Sequence, residues 1–316
     1  MDRLTPVTEK EWEKVNKFNK EVTEEFLEMA HFSPYTLKQY RSALRQFFKW
    51  VKDNVDNKPL YELKPKHGLR YQNFLVNRGL SSNAVKFKKS VVSSLCQHLE
   101  IHYLDEYPDF RPIFNKGIPQ IPHNPRREKD PLTLEEFEQL VNKLEEKQEW
   151  QILAYLWLSY ESGGRRSEIR QVKKEIYDYE PVNKEGTRYL TNKVRAKGPG
   201  KEGKIIKLSF GEKSKKAIQK WLKFRGEDDC EYLFAIKNHD EVKSVSVQTL
   251  NYWCNKMSDL IGKRVHPHAI RTARATHLAE SHDIKKIQKL LGHLQSSTTE
   301  IYIVEDESDF VDDIFE

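Results

Sequence analysis

Residues 266–302 read HPHAIRTARATHLAESHDIKKIQKLLGHLQSSTTEIY, and helices can be traced through most of that stretch. HAIRTARATHLAE and IKKIQKLLG have helical character, and Gly292 stands where a helix C′ residue belongs. Ser297 and Glu300 have capping-box spacing, so a further short helix is predicted to carry Tyr302 in its early turns. His268 and Arg271 fall one helical turn apart, on one face near a helix N-terminus. His293 follows directly on a helix end, nine residues before Tyr302. Singly, each has an ordinary explanation: tyrosines are mostly half-buried packing residues, and histidines at helix ends meet the dipole. Their joint order and spacing is what packing does not explain.

Upstream, WQILAYLWLSY is apolar nearly all round, the pattern of a helix buried in a large core, and it stops at Gly163-Gly164. SGGRRSEIR then places Arg165 just beyond that end, while neighbouring Arg166, Arg170 and Arg274 read as solvated or surface-paired. TRYLTNKVRA and KIIKLSF are β-prone runs flanking KGPGKEG, a predicted hairpin whose turn presents Lys197 and Lys201. LTLEEFEQLVNKLEEKQEW opens this half of the chain, with Thr133 and Glu136 as a capping box. SKKAIQKWLKF and VQTLNYWCNKMSDLI are further predicted helices.

The first half has a different texture. Ser33-Pro34 is an N-cap followed by the helical position where proline is tolerated, and Leu37, Tyr40, Leu44, Phe47, Phe48 and Val51 form one stripe. A second helix follows Ser81-Ser82, with Val85, Val92, Leu95 and Leu99 in register and Lys88 interrupting the stripe. HGLRYQNFLVNRG between them is a shorter helix ended by Gly79. Residues from about 20 to 105 thus form a small all-α domain. Pro108, Pro112, Pro119, Pro122, Pro125 and Pro131 then crowd into one stretch that contains HNPRREKD, an extended basic linker. The expected organisation is a helical domain over 1–118, a linker over 119–131, a second domain over 132–302 and an acidic tail over 303–316.

A length of 316 residues suits two domains, and 32% charged against 37% apolar residues suits a soluble, helix-rich chain. The net charge is +6, but residues 303–316 hold seven acids and no Lys or Arg, leaving +13 on the body. A cationic body fits a polyanionic partner, and an acidic tail fits contact with protein. Cys96, Cys230 and Cys254 form no CxxC pair, which argues against a zinc site or disulfide framework and fits a reducing cytosol. The N-terminus has no apolar signal core and no stretch approaches a membrane span, so a cytoplasmic location without a membrane partner is expected.

Taken together, the polar segments resemble the signature of the tyrosine recombinase (phage integrase) family, which uses Arg, Lys, His-x-x-Arg, His or Trp, and Tyr in that order. SGGRRSE is similar to the family's TGxRxSE, making Arg165 the first catalytic arginine and Glu168 its usual acidic neighbour. HAIRTARAT resembles HxLRHTxAT, giving His268 and Arg271, with Thr272 in place of a frequent histidine. IQKLLGHLQSSTTEIY is very close to IQxLLGHxSxxTTxxY, giving His293 and the nucleophile Tyr302 at the family's usual nine-residue step. Lys197 is similar to the β-hairpin lysine, usually within KGxK; GPGK carries one residue more, which leaves Lys201 as a rival. Ser33-Pro34-Tyr35-Thr36, Tyr40, Leu44, Trp50 and GLSSNAV look like the helical core-binding domain.

The resemblance implies a mainly α fold: an N-terminal SAM-like core-DNA-binding domain, then a mixed α/β, mostly helical catalytic domain with a small β-sheet. It implies a site-specific recombinase or integrase that cuts and rejoins DNA through a 3′-phosphotyrosyl intermediate and a Holliday junction. No cofactor and no metal are expected. The expected partners are double-stranded DNA with inverted-repeat core sites and, on two such sites, three further copies in a homotetramer. With so few residues before position 20, a minimal, Xer-like enzyme without an arm-binding domain is expected. Family members exchange C-terminal segments around the tetramer, so the apolar face of the tail (Ile303, Phe310, Val311, Ile314, Phe315) is expected to dock on a neighbour. The alternative is a DNA-binding protein on the same fold that no longer cuts.

The chemistry asks for these side chains. A phenol of pKa about 10 is a poor nucleophile at neutral pH unless its surroundings help it ionise. Two arginines can clamp the non-bridging phosphoryl oxygens bidentately, which lysine cannot imitate. A lysine at a hairpin tip can protonate the leaving 5′ oxygen, His268 can take or return the tyrosine proton, and His293 can hydrogen-bond the phosphate.

Overall fold

The computed structural model describes residues 4–29, 32–114, 117–121, 130–196, 198, 203–239, 241–281 and 283–291. They divide into two units, one ending at residue 121 and one beginning at residue 130, each with its own apolar core.

In the first unit Thr8 and Glu11 close a capping box that starts α1 (Glu9–Glu13), and α2 (Lys17–Met29) follows. Ser33 accepts the Thr36 N–H at 3.2 Å and starts α3 (Pro34–Asn54) as its sequence predicts. α4 (Pro65–Asn77) is followed by Gly79 at φ +72°, and Ser81 caps α5 (Ser82–His102). Leu44, Phe47, Phe48 and Val51 of α3 are fully buried against Val85, Val92, Leu95 and Leu99 of α5. This unit begins well before residue 20: Trp12 and Val15 are in its core, as are Phe110 and Ile113 beyond α5. α1 is too short for hydrophobic periodicity to register. Lys88, which interrupts the α5 stripe, is half-buried and donates to the amide oxygen of Gln46 on α3, so its ammonium is hydrogen-bonded despite its place beside the core.

In the second unit the Thr133–Glu136 capping box starts α6 (Leu134–Glu146), and the apolar α7 (Trp150–Ser162) runs through the core. After it come the single-turn α8 (Arg166–Ile169), β1 (Arg188–Leu190), β2 (Val194–Ala196), β3 (Lys204–Ile206), β4 (Ser209–Gly211) and α9 (Glu212–Arg225). β1 pairs antiparallel with β4 and β2 with β3, so the expected hairpin is two nested ladders joined by the Thr191 N–H to Leu208 carbonyl bond at 2.9 Å. A further hairpin, β5 (Ala235–Asn238) with β6 (Glu241–Ser244), is absent from the sequence reading. Its run AIKNHDEVKS is too charged to show strand alternation. The chain continues through α10 (Val247–Ile261), α11 (Pro267–Ala279) and α12 (Ile284–Leu291). The fold is mainly helical with small antiparallel pairs, in keeping with the expected class. Among the described residues no helix is long and apolar enough to cross a membrane.

Candidate active site

α7 ends at Gly163, which adopts φ +58° and so turns the chain sharply out of the core. The residues on either side of that turn are tied down. Glu161 accepts the N–H groups of Gly211 at 2.8 Å and Ser214 at 3.0 Å, fastening the end of α7 to β4 and the start of α9. Past the turn, Arg165 is the N-cap of α8, and Glu168 accepts both its backbone N–H (2.8 Å) and its guanidinium (3.0 Å). Glu168 is almost wholly buried while Arg165 keeps part of its side chain open. The pair therefore orients a cation outward from a fixed base, and the buried carboxylate has its charged partner.

α11 packs between α7 and α12. Its N-cap is His266, whose Nδ1 accepts the Ala269 N–H at 3.0 Å, and Pro267 occupies the first turn. From this start His268 and Arg271 project one turn apart, with different fates. Arg271 is 2% exposed, the largest fully buried side chain among the described residues. It donates to the Gly163 carbonyl and, at 2.6 Å, to the Leu291 carbonyl at the end of α12. One guanidinium thus joins the Arg165 loop to the last turn before His293. His268 reaches solvent. Crowding by protein, then the positive charges of Arg271, His266, Arg165 and Arg166, hold its imidazole below the ordinary histidine pKa. At neutral pH His268 is accordingly a neutral base beside a cluster of cations.

The hairpin base belongs to the same region. Gln171, just past α8, donates to the Arg195 carbonyl and accepts the Arg195 N–H, both at 2.9 Å. That pins β2, and with it Ala196 opposite Lys204, next to the Arg165 loop. Lys197 and Lys201, which fall between β2 and β3 in sequence, lie outside the described residues, as do Gly292, His293, the Ser297–Glu300 pair, Tyr302 and the tail 303–316.

Some of these contacts had no sequence signal. Gly163 is needed twice: a Cβ there would lie 2.6 Å from Leu291 Cδ2, in addition to the positive φ. Gly163→Ala is therefore expected to lower unfolding free energy by about 1–3 kcal/mol through strain and overpacking. Denaturant unfolding checks this, and an unchanged midpoint would contradict it. Arg166 is exposed, as expected of a solvated arginine, and in addition donates to Asn251 Oδ1 of α10 at 2.7 Å. Arg274 differs from its surface reading. It lies over the Tyr160 ring at 5.1 Å, while Tyr160 OH meets His277 Nδ1 at 2.7 Å.

Comparison with known proteins sets this geometry in a family. Residues 131–308 match the phage integrase family model, and residues 20–105 match the model of the phage integrase N-terminal SAM-like domain. The SPbeta prophage-derived recombinase-like protein YomM of Bacillus subtilis (strain 168) is 35% identical over 95% of this chain and 90% of its own. Tyrosine recombinase XerA of Thermococcus onnurineus is 28% identical over 88% of each chain. The Tn1549 transposon integrase, solved in complex with transposon right end DNA, is alike in fold with a TM-score of 0.71 at 16% identity, covering 94% of this chain and 98% of that one. A family model that takes in the Arg165 loop, the hairpin and the whole 266–302 block, with a relative alike along nearly the full length, leaves one conclusion: this chain belongs to the phage integrase family of tyrosine recombinases.

Proposed function

We propose that the chain is an active site-specific recombinase that exchanges DNA strands through a covalent bond to Tyr302. The observation that carries this reading is the convergence of Arg165, Arg271 and His268 on the end of α7, with the last turn of α12 bonded to Arg271. The arrangement is cationic and its buried acid, Glu168, is already committed to Arg165, which suits an incoming anion. In the proposed step the Tyr302 phenolic oxygen attacks the phosphorus of a backbone phosphodiester. The bond to the 5′ oxygen breaks, leaving a 3′-phosphotyrosyl ester and a 5′-hydroxyl. Arg165 and Arg271 hold the non-bridging oxygens, and each such donor in a water-poor site contributes roughly a hundredfold or more in rate. His268, held below the ordinary histidine pKa, takes the phenolic proton, and His293 hydrogen-bonds the phosphate. Lys197 supplies the proton to the leaving 5′ oxygen, with Lys201 as its rival. The 5′-hydroxyl of a partner duplex then reverses the step, so bond energy is kept in the ester and neither ATP nor metal is consumed.

The relatives' printed descriptions support the substrate and the assembly: the Tn1549 integrase is described in complex with transposon DNA, and a lambda integrase as a tetramer bound to a Holliday junction. For this chain we propose the same class of partner, duplex DNA with inverted-repeat core sites. The helical domain over 1–118 and the catalytic domain over 132–302, joined by the basic linker 119–131, would bind it as a tetramer, with the tail 303–316 docking on a neighbouring copy. The direct test is a nicked duplex from which the cleaved fragment diffuses away: the wild-type protein, in chelator and without nucleotide, accumulates a covalent adduct. Absence of any adduct on duplexes that the protein binds would favour the non-cutting alternative. Deleting residues 305–316 is expected to weaken assembly on paired sites more than binding to one site, read by gel shift. Equal loss of both would count against tail exchange.

A further inference from the structure

Gln171 does for β2 what a neighbouring strand would do. In an antiparallel pair the N–H and C=O of one residue point to the same side. β2 pairs with β3 through Val194 with Ile206, Arg195 with Ile205 and Ala196 with Lys204. The N–H and C=O of Arg195 both meet the Gln171 side chain, whose Oε1 accepts and whose Nε2 donates, each at 2.9 Å. The same Nε2 donates to the Ser167 carbonyl at 2.6 Å, within α8, the turn that Arg165 caps and Glu168 anchors. The tether is doubled. Asn192 Nδ2 donates to the Gln171 carbonyl at 3.2 Å, and Asn192 Oδ1 accepts the Lys173 N–H at 2.9 Å. Each segment thus sends a side-chain amide to the backbone of the other. Ala196, the last residue of β2, is followed in sequence by Lys197.

We infer that Gln171 is a positioning residue for the cleavage step: its amide sets the hairpin lysine against Arg165 so that both reach one phosphate. The inference rests on the proposed function, in which Arg165 holds a non-bridging oxygen and Lys197, or its rival Lys201, protonates the leaving 5′ oxygen. Those oxygens belong to the same phosphorus, so the two donors must be held in one geometry. They come from segments with different supports. Arg165 is set by Glu168 on α8. The lysines fall in sequence between β2 and β3, and the pairing of these strands does not fix their distance from α8. The Gln171 amide supplies that distance, since one nitrogen is bonded to both elements. An amide suits the task. It offers a donor and an acceptor to a strand edge and adds no charge beside a site meant for an anion. Gln171 acts through the lysine and makes no contact of its own with the reacting atoms. The same bonds also hold the fold together, so loss of activity alone would not reveal positioning.

The test uses the full-length protein and two nicked duplexes that differ in one atom, the oxygen or sulfur that bridges the scissile phosphorus to the 5′ carbon. A thiolate is a far weaker base than an alkoxide and leaves without a proton, so the sulfur duplex has no need of a general acid. On the oxygen duplex, Gln171→Ala is expected to slow adduct formation by roughly tenfold to a hundredfold, part of what a well-placed general acid contributes. On the sulfur duplex it should react about as fast as wild type. Asn192→Ala should show the same pattern more weakly, and alanine at the lysine that acts as the acid should show it more strongly. Affinity, read by gel shift, should be unchanged. Gln171→Glu keeps the acceptor for the Arg195 N–H and replaces the alanine variant if that one does not fold; it too should be slowed on oxygen and not on sulfur. Equal slowing on both duplexes overturns the inference, because the amide would then hold the site as a whole. An unchanged rate on the oxygen duplex, or a loss confined to affinity, overturns it as well. If sulfur rescues a lysine variant but not Gln171→Ala, only this inference falls. If the wild-type chain forms adduct on neither duplex, the proposed function falls with it.

Discussion

Replacing Arg271 by alanine is expected to abolish detectable DNA cleavage and to destabilise the second unit by about 3 kcal/mol or more, the two losses having one origin. The Arg271 guanidinium is buried and donates to the Gly163 and Leu291 carbonyls, so truncation strands two buried acceptors at roughly 1–3 kcal/mol each. The same truncation removes a donor from the proposed phosphate clamp, worth about a hundredfold or more in rate. Arg271→Lys separates the two roles. A single ammonium can satisfy one carbonyl but cannot bridge both and also present a planar fork to phosphate. The lysine variant should recover part of the lost stability and little of the cleavage. Denaturant unfolding and adduct kinetics on a nicked duplex read the two effects, and an alanine variant as stable as wild type would contradict the latch between the α7 turn and α12.

Tyr302→Phe is expected to form no covalent adduct while binding DNA about as tightly as wild type. The exchange removes one oxygen and little else. Stability and affinity, which depend on packing and on counterion release at phosphates, should therefore barely respond. Catalysis should be lost altogether, because no other side chain is proposed to form the ester. Binding is measured by gel shift and adduct by denaturing gel. An adduct with Tyr302→Phe would remove the phenol from the mechanism, and a loss of binding would mean that Tyr302 holds the fold or the duplex instead.

How much of this could be seen in sequence depended on whether a residue acts through its type and spacing or through its neighbours. Thr133 with Glu136, Ser33 with Pro34, and the all-round apolar α7 are local signals, and the structure bears them out. The family motifs, which turn on residue type at fixed offsets, pointed to Arg165, His268 and Arg271, which the fold gathers at the end of α7. What the fold adds is long-range. That Arg271 would be buried and bonded to carbonyls 108 and 20 residues away follows from no local pattern. The β5–β6 hairpin was lost behind its charges, and α1 was too short to show a period. Arg166 is a surface arginine, as its sequence implies, but its bond to Asn251, 85 residues on, has no local signal. A packing partner is a property of the folded chain: Arg274, spelled like any surface arginine, lies over the Tyr160 ring.

The most direct measurement is peptide mapping of the covalent complex formed on a nicked duplex, with the nucleotide remnant located by mass spectrometry. One modified peptide is expected, with Tyr302 esterified through the 3′ phosphate of the DNA and a free 5′-hydroxyl on the released strand. An ester on any other residue, or a linkage through a 5′ phosphate, would contradict it.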